Sequence, residues 1–157
     1  MFSLIVAHDE GLGIGNKGII PWNLKEDLKH FRNMTIHKRI VMGRVTFEGF
    51  KKPLPERHTI VICSPGKEKE DSEMVSYVTD FKKFLEENKD TDEEIMICGG
   101  GLVYKAALPY CKKMYISLVE GKHEADAFFP EYDVNDYDVL SVTPYEGFKV
   151  IEYQKKA

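Results

Sequence analysis

Short apolar runs alternate with helical patterns along most of the chain, and this alternation limits the possible folds most strongly. The apolar runs are rich in β-branched and aromatic residues, which favours strands, and several are almost continuously apolar, as in strands covered on both faces of a mostly parallel sheet. This pattern predicts an α/β domain. Strands are predicted over residues 2–8, 39–43, 59–63, 74–78, 94–98 and 113–119, and helices over about 24–34, 45–50, 80–88 and 102–108.

The C-terminal part has a different pattern. DYDVLSVTPYEGFKVIEYQ, residues 136–154, indicates two strands around a Pro-Tyr-Glu-Gly turn at 144–147. We expect these strands to form an antiparallel hairpin at one edge of the sheet. Because no repeat or composition boundary divides the 157 residues, we expect a single domain over 1–157.

Composition excludes several classes of protein. A hydrophobic fraction of 43% with 31% charged residues is typical of globular chains, and a formal charge of -4 argues against a nucleic-acid-binding protein. Cys63, Cys98 and Cys111 form no CxxC motif, which favours free thiols in a reducing compartment. The sequence has neither a signal-peptide pattern nor a membrane-spanning run, so a cytoplasmic protein is expected. The five scattered histidines predict no metal site.

The helix predicted over 24–34 has a carboxylate on its apolar face. Leu24, Leu28 and Phe31 recur at i, i+4 and i+7 and predict a face turned to the core, and Asp27 occupies i+3 of that face. An acid near a helix N-terminus is stabilised by the helix dipole, which explains Glu26 equally well. A carboxylate among apolar neighbours instead has a raised pKa and is typical of functional sites. These observations leave both interpretations open.

The start of this helix carries a capping pattern. Asn23 suits the N-cap, and Glu26 suits the matching capping-box position three residues later. Trp22, the one tryptophan, comes just before the helix and is either a core residue or a wall of a pocket.

Several strand ends carry residues suited to anions, and ligands of open α/β sheets bind beyond the carboxyl ends of the strands. Gly99–Gly101 remove every Cβ where a strand meets a helix, which suits either a tight turn or close approach of a phosphate. Arg44 follows Gly43 at another strand end, with Thr46 as a helix cap, and is either a surface charge or a phosphate clamp. Ser64 offers a hydroxyl at a third strand end, or simply lies in a turn.

The loop GLGIGNKG, residues 11–18, formally matches a dinucleotide-binding fingerprint at Gly13, Gly15 and Gly18. The third glycine leads into Ile-Ile-Pro-Trp rather than a helix, which disfavours that interpretation. The loop is therefore either a turn-rich connector or a mobile segment over a site.

Three more side chains have both a structural and a functional interpretation. Arg57 precedes a strand and is either exposed or positioned to hold a carboxylate through two hydrogen bonds. Tyr104 and Ser117 either pack in the interior or place a hydroxyl near a ligand.

Taken together, the motifs identify a family. SLIVA, PWNLKEDL, VMGRVTFE, PLPER, IMICGGGLVY and FFPEY occur in this order, and over essentially its whole length the sequence resembles dihydrofolate reductases of the bacterial chromosomal type. The resemblance implies a central eight-stranded, mostly parallel sheet with an antiparallel C-terminal strand and four flanking helices. It also implies NADPH-dependent reduction of 7,8-dihydrofolate to 5,6,7,8-tetrahydrofolate, by hydride transfer to C6 and protonation at N5, in support of one-carbon and thymidylate metabolism.

The resemblance assigns a role to each candidate residue. Asp27 is the one ionisable group of the pterin pocket, Ser117 bonds it where the family usually has threonine, and Trp22 holds an ordered water. Arg57 grips the glutamate tail of the substrate, and residues 11–20 form a lid over the nicotinamide. The substrate-binding set is Ile5, Ala7, Leu28, Phe31, Phe50, Leu54, Arg57 and Cys98. The cofactor-binding set is Ala7, Ile14, Ile20, Gly43, Arg44, Thr46, Ser64, Gly99, Gly100, Gly101, Leu102, Val103 and Tyr104, with a cis peptide expected between Gly99 and Gly100.

Two positions depart from the family pattern. Val45 replaces a histidine and Leu102 replaces an arginine or another polar residue, so two phosphate contacts are lost while Arg44 remains. The expected ligands are dihydrofolate, NADPH and diaminopyrimidine or pteridine antifolates, and nothing in the sequence demands more than a monomer. The alternatives are a reductase of a pyrimidine intermediate of riboflavin synthesis and a folate- or nucleotide-binding module without catalysis.

Overall fold

An eight-stranded sheet forms the centre of the structure, a computed structural model that describes residues 1–16, 22, 24–50 and 52–157. Its strand order is β5-β4-β3-β6-β1-β7-β10-β9, and a second sheet of two short strands pairs β2 with β8. The strands are β1 (Phe2–Asp9), β2 (Gly13–Gly15), β3 (Arg39–Gly43), β4 (His58–Ile62), β5 (Val75–Val78), β6 (Ile95–Ile97), β7 (Cys111–Val119), β8 (Ala127–Phe128), β9 (Tyr137–Tyr145) and β10 (Phe148–Lys155).

Within the described residues four α-helices flank the sheet, as predicted. They are α1 (Lys25–Thr35), α2 (Arg44–Glu48), α3 (Phe81–Asn88) and α4 (Gly101–Ala107), and two 3-10 helices cover Leu108–Tyr110 and Val134–Asp136. None of the helices in the described ranges is long and apolar enough to cross a membrane.

The central strands are buried on both faces, which explains their continuous apolar runs. Leu4, Val41 and Ile97 pack on the face covered by α3 and α4, whereas Ile5 and Ile40 pack on the face covered by α1. Successive strand residues point to opposite faces, so each strand supplies both halves of the core. The parallel neighbours of β1 are β6 and β7, and the sheet therefore directs the carboxyl ends of these strands to one common edge.

The predicted C-terminal hairpin is present, and β10 is antiparallel to both of its neighbours, β7 and β9. The first two residues of the predicted turn, Pro144 and Tyr145, belong to β9 instead, and only Glu146 and Gly147 connect the strands. Gly147 has φ 84°, a backbone conformation that favours glycine.

The N-terminus of α1 also differs from the prediction. Leu24, rather than Asn23, is the N-cap, and no side chain caps the helix there. Asn23 itself lies outside the described residues. Sequence patterns also missed β2 and β8, because segments of three and two residues are too short to show a periodicity.

Candidate active site

Asp27 and Ser117 meet between α1 and the carboxyl-terminal half of β7. The Ser117 hydroxyl donates a hydrogen bond of 2.6 Å to Asp27 Oδ1, which confirms the contact expected between them. Ser117 is buried and lies beside Ala7 of β1 in the parallel register. Burial raises the pKa of Asp27, and the Ser117 hydrogen bond and the nearby His30 oppose this shift without cancelling it.

The apolar face of α1 packs against the core only in part, whereas its periodicity predicts a face turned fully to the core. Leu28 is 60% exposed, and Leu24 and Phe31 are only partly buried. Thr35 is the one fully buried residue described on this helix. Apolar surface of this face therefore remains exposed one residue from Asp27, which is itself partly buried, so a ligand could cover both.

Most of the side chains expected to bind substrate pack against two separate buried clusters. Ile5 is part of a buried cluster against which Phe31, Leu54 and Cys98 pack. Ala7 lies with Trp22 and Leu24 against the cluster of Val119, Phe148 and Val150. Phe50 is 40% exposed. Burial raises the pKa of the Cys98 thiol to about 12, so this side chain is a neutral, apolar part of the wall.

Arg57 is buried, not exposed as an ordinary arginine at a strand start would be. Its side chain is held by two acceptors: Nε donates to Pro55 O at 3.0 Å and Nη1 donates to Thr35 Oγ1 at 3.1 Å. A guanidinium has five N–H donors, so these bonds orient the group without using it up. In the described ranges no carboxylate lies within ion-pair distance of Arg57, and burial, followed by the like charge of Arg32, lowers its pKa. An anionic ligand would compensate this charge.

Glycines bring the ends of β3 and β6 together at the same edge. Gly43 N donates to Gly99 O at 2.9 Å, and the peptide between Gly99 and Gly100 is cis, as expected. A Cβ on Gly100 would lie 3.1 Å from Thr46 Oγ1, and one on Gly101 would lie 3.0 Å from the Phe128 carbonyl oxygen. Neither α2 nor α4 has a side-chain cap at its N-terminus, so backbone N–H groups of both helices remain available to an anion.

The other cofactor candidates surround these glycines. Arg44 Nη1 donates to both carboxylate oxygens of Glu48, at 3.0 and 3.1 Å. Ser64 is exposed at the end of β4. Tyr104 is buried, and its hydroxyl donates to Ile5 O at 2.7 Å. Ile14 and Val103 are partly or fully buried beside Gly101 and Gly43, whereas Leu102 is 86% exposed.

Two predictions fall on the segment after β1. Gly13 and Gly15 belong to β2, which pairs with β8, so they do not form the strand-to-helix turn of a dinucleotide fingerprint. Ile20 and Gly18 lie outside the described residues, as does most of the second half of the expected lid.

Sequence reasoning missed the residues that support the site from a distance. Thr35 orients Arg57, Glu48 pairs with Arg44, and His30 acts on the charge of Asp27. Thr35 and Arg57 are 22 residues apart, and no sequence pattern marks such a pair. Among the residues that the structure describes, no group of three or more potential metal ligands occurs.

The fold and the site define a class of protein. It is an open α/β protein with a partly buried carboxylate on an apolar helix face and with glycine-rich strand ends suited to a phosphate-bearing ligand.

Comparison with known proteins gives the family. Residues 1–154 match the family model described as dihydrofolate reductase. The dihydrofolate reductase of Buchnera aphidicola subsp. Acyrthosiphon pisum is 42% identical over 136 residues, which are 86% of this chain and 82% of the relative. The dihydrofolate reductase of Staphylococcus aureus is 34% identical over 139 residues, which cover 88% of this chain and 84% of the relative. A solved dihydrofolate reductase from Enterococcus faecalis, complexed with NADP(H) and RAB-propyl, superposes with a TM-score of 0.87 at 33% identity and covers 100% of this chain and 97% of its own. The chain therefore belongs to the dihydrofolate reductase family.

Proposed function

We propose that the chain reduces 7,8-dihydrofolate to 5,6,7,8-tetrahydrofolate with NADPH and that Asp27 is the ionisable group of its pterin pocket. The observation that carries the assignment of Asp27 is its position on the apolar face of α1, joined to Ser117 by a hydrogen bond of 2.6 Å. A pterin presents an amino group and a ring N–H side by side, and a carboxylate can accept a hydrogen bond from each. Because the same carboxylate is partly removed from water, its negative charge favours protonation of the ligand beside it.

The rest of the substrate fits the surfaces on either side of Asp27. Ile5, Phe31 and Leu54 give an apolar wall for the flat rings, in keeping with their common cluster. Arg57 binds the α-carboxylate of the glutamate tail. Its fixed orientation and its lack of an ionic partner in the described ranges support this role.

The strand ends of β3, β4 and β6 fit NADPH. Arg44 and Ser64 hold the 2′-phosphate, and Thr46 with Gly99–Gly101 holds the pyrophosphate. The close packing around Gly100 and Gly101, where a Cβ would meet neighbouring oxygens at 3.0–3.1 Å, supports a backbone surface that only glycine permits. The uncapped N-termini of α2 and α4 give this surface a partial positive charge.

The chain's own residues position the reactants and direct a proton. When bound, NADPH supplies the hydride. Asp27 orients the pterin and raises the proton affinity of N5 through the ring and a water, and Ser117 fixes the carboxylate through Oδ1. Trp22 packs against Val119 and Phe148 at the side of the pocket, where it holds that water. Ile5 and Phe31 exclude bulk solvent from the reacting carbons.

One assay separates the candidate functions. Purified protein is mixed with NADPH and dihydrofolate, and oxidation of NADPH is followed by absorbance. Steady turnover supports the proposal. Binding of both ligands without turnover indicates a binding module, and turnover only with a pyrimidine substrate indicates the riboflavin-type reductase. We further infer one domain over 1–157, a monomer and a cytoplasmic location, which sedimentation and cell fractionation test.

A further inference from the structure

Asp9, at the end of β1, is a buried carboxylate that accepts four hydrogen bonds. Gly11 N and Gly13 N each donate to Oδ1 at 2.9 Å. His123 N donates to Oδ2 at 2.6 Å and His123 Nδ1 donates to the same oxygen at 3.2 Å. Burial disfavours the charged form, but these donors together lower the pKa of Asp9, so the carboxylate is ionised at neutral pH.

The imidazole of His123 lies between Asp9 and Trp22. Its ring centroid is 5.5 Å from that of Trp22, with the planes inclined at 65°, an edge-on aromatic contact. A carboxylate accepts only, so the bond to Asp9 requires the proton on Nδ1 and fixes both the tautomer and the ring orientation. Asp9, His123 and Trp22 therefore form a continuous chain from a buried charge to the indole.

The loop that carries His123 is attached to the segment after β1 at several points. Glu10 N donates to Gly121 O at 2.9 Å, the Glu10 carboxylate accepts from Gly121 N, and Phe129 N donates to Leu12 O at 2.8 Å. These backbone contacts already hold the two segments together. The side chain of His123 is thus not needed to join them, and its ring contacts are made with Asp9 and Trp22.

We propose that Asp9 and His123 are positioning residues that hold the Trp22 indole in place at the pterin pocket. Trp22 packs on Val119, Phe148 and Val150 on one side, and the imidazole supports it on another. The Asp9 side chain is 1% exposed, so the carboxylate that orients the imidazole is protected from solvent. The His123 side chain is 32% exposed, so it can be substituted without disturbing a fully packed core. Only the kinetic consequence of this inference rests on the proposed function.

Intrinsic fluorescence tests the contact directly, because Trp22 is the one tryptophan of the chain. His123→Phe retains an aromatic ring but loses the donor to Asp9, and His123→Asn retains a donor but loses the ring. We expect a red-shifted emission and faster acrylamide quenching in both variants, with the larger change in His123→Asn. His37→Asn replaces an exposed histidine after α1 whose φ of 62° suits asparagine, and it serves as the matched control. Emission and quenching equal to wild type in both His123 variants would overturn the proposal.

Kinetics test the consequence for the site. A displaced indole lowers kcat by about threefold to tenfold in His123→Asn, since small misplacements at a reacting centre are costly. The KM for NADPH stays within about twofold of wild type, because no cofactor-binding residue is touched. His123→Phe retains more of the rate than His123→Asn. Equal losses in kcat and in cofactor affinity, together with an equal fall in thermal stability, show a merely structural role. Absence of turnover in the wild-type protein contradicts the proposed function instead and leaves the fluorescence result standing.

Discussion

Thr35→Val tests whether the orientation of Arg57 serves substrate binding. The Thr35 hydroxyl is fully buried, donates to Phe31 O at 2.7 Å and accepts from Arg57 Nη1 at 3.1 Å. Valine has nearly the same shape but cannot accept, so the guanidinium keeps its bond to Pro55 O and loses the one that fixes its rotation.

The size of the effect follows from this single bond. A hydrogen bond to a charged donor contributes about 1.5–3 kcal/mol, and about 1.4 kcal/mol corresponds to a tenfold change in affinity. We therefore expect KM for dihydrofolate to rise about tenfold with kcat little changed. The unpaired donor also lowers the free energy of unfolding by about 1–3 kcal/mol, and each kcal/mol lowers Tm by about 2–4 °C in a chain of this size.

The assay compares two substrates and a matched control. Initial rates are measured with dihydrofolate and with a 7,8-dihydropterin that lacks the glutamate tail, and only the first should lose affinity. Thr59→Val makes the same substitution on β4, where the hydroxyl is buried and has no hydrogen-bond partner in the described ranges. It should leave both KM values unchanged and the stability equal or higher. Equal losses of affinity for the two substrates would refute the role assigned to Arg57.

Three further changes probe the carboxylate, the cofactor clamp and a buried histidine. Asp27→Asn should lose most activity at neutral pH in the NADPH-oxidation assay and unfold at an equal or higher temperature, because burial raises the pKa of the carboxyl it replaces; a full-rate variant contradicts the assignment. Arg44→Ala should raise KM for NADPH more than KM for NADH. Glu48→Gln releases the Arg44 guanidinium from its ion pair and should retain the preference for NADPH. Equal losses of affinity for both cofactors in Arg44→Ala would exclude a contact between Arg44 and the 2′-phosphate. Burial lowers the pKa of His8, so as the pH falls below about 6.5 the unfolded chain takes up a proton before the folded protein does, and the free energy of unfolding falls until the pH reaches the folded pKa. Urea unfolding at a series of pH values should show a shallower fall in the free energy of unfolding for His8→Gln. Identical slopes in the variant and the wild type would contradict this.

The pattern of apolar and polar residues along the sequence predicted those strands and helices whose burial depends on neighbouring residues of the same segment. The apolar runs of β1, β3 and β7 come from burial on both faces, and the carboxylate of Asp27 stands out in the sequence because it interrupts a helical period. The direction of its pKa shift followed from the same reasoning. The resemblance to the family then implied the number of strands, the antiparallel C-terminal strand and a role for each candidate side chain, which periodicity alone does not contain.

Contacts between distant segments were not predictable in the same way. The sequence favours Asn23 as a helix cap, but Leu24 takes that position. The pairs Arg57–Thr35 and Asp9–His123 join segments 22 and 114 residues apart, and each depends on the finished fold to bring its members together. An acid and a histidine at such a separation carry no mark in the sequence, because only tertiary structure decides whether they meet.

The position of β10 has a consequence for how the site is assembled during synthesis. This strand follows the other strands of the sheet in the sequence, yet it lies between β7 and β9 rather than at the edge of the sheet. Until it is available, β9 has no neighbour in the sheet and β7 presents an open edge along the strand that carries Ser117. A nascent chain that lacks these residues therefore has an incomplete support for Ser117 and for the Asp27 carboxylate to which it is hydrogen-bonded. We expect ligand binding to begin only after β10 has been synthesised and has paired with both neighbours.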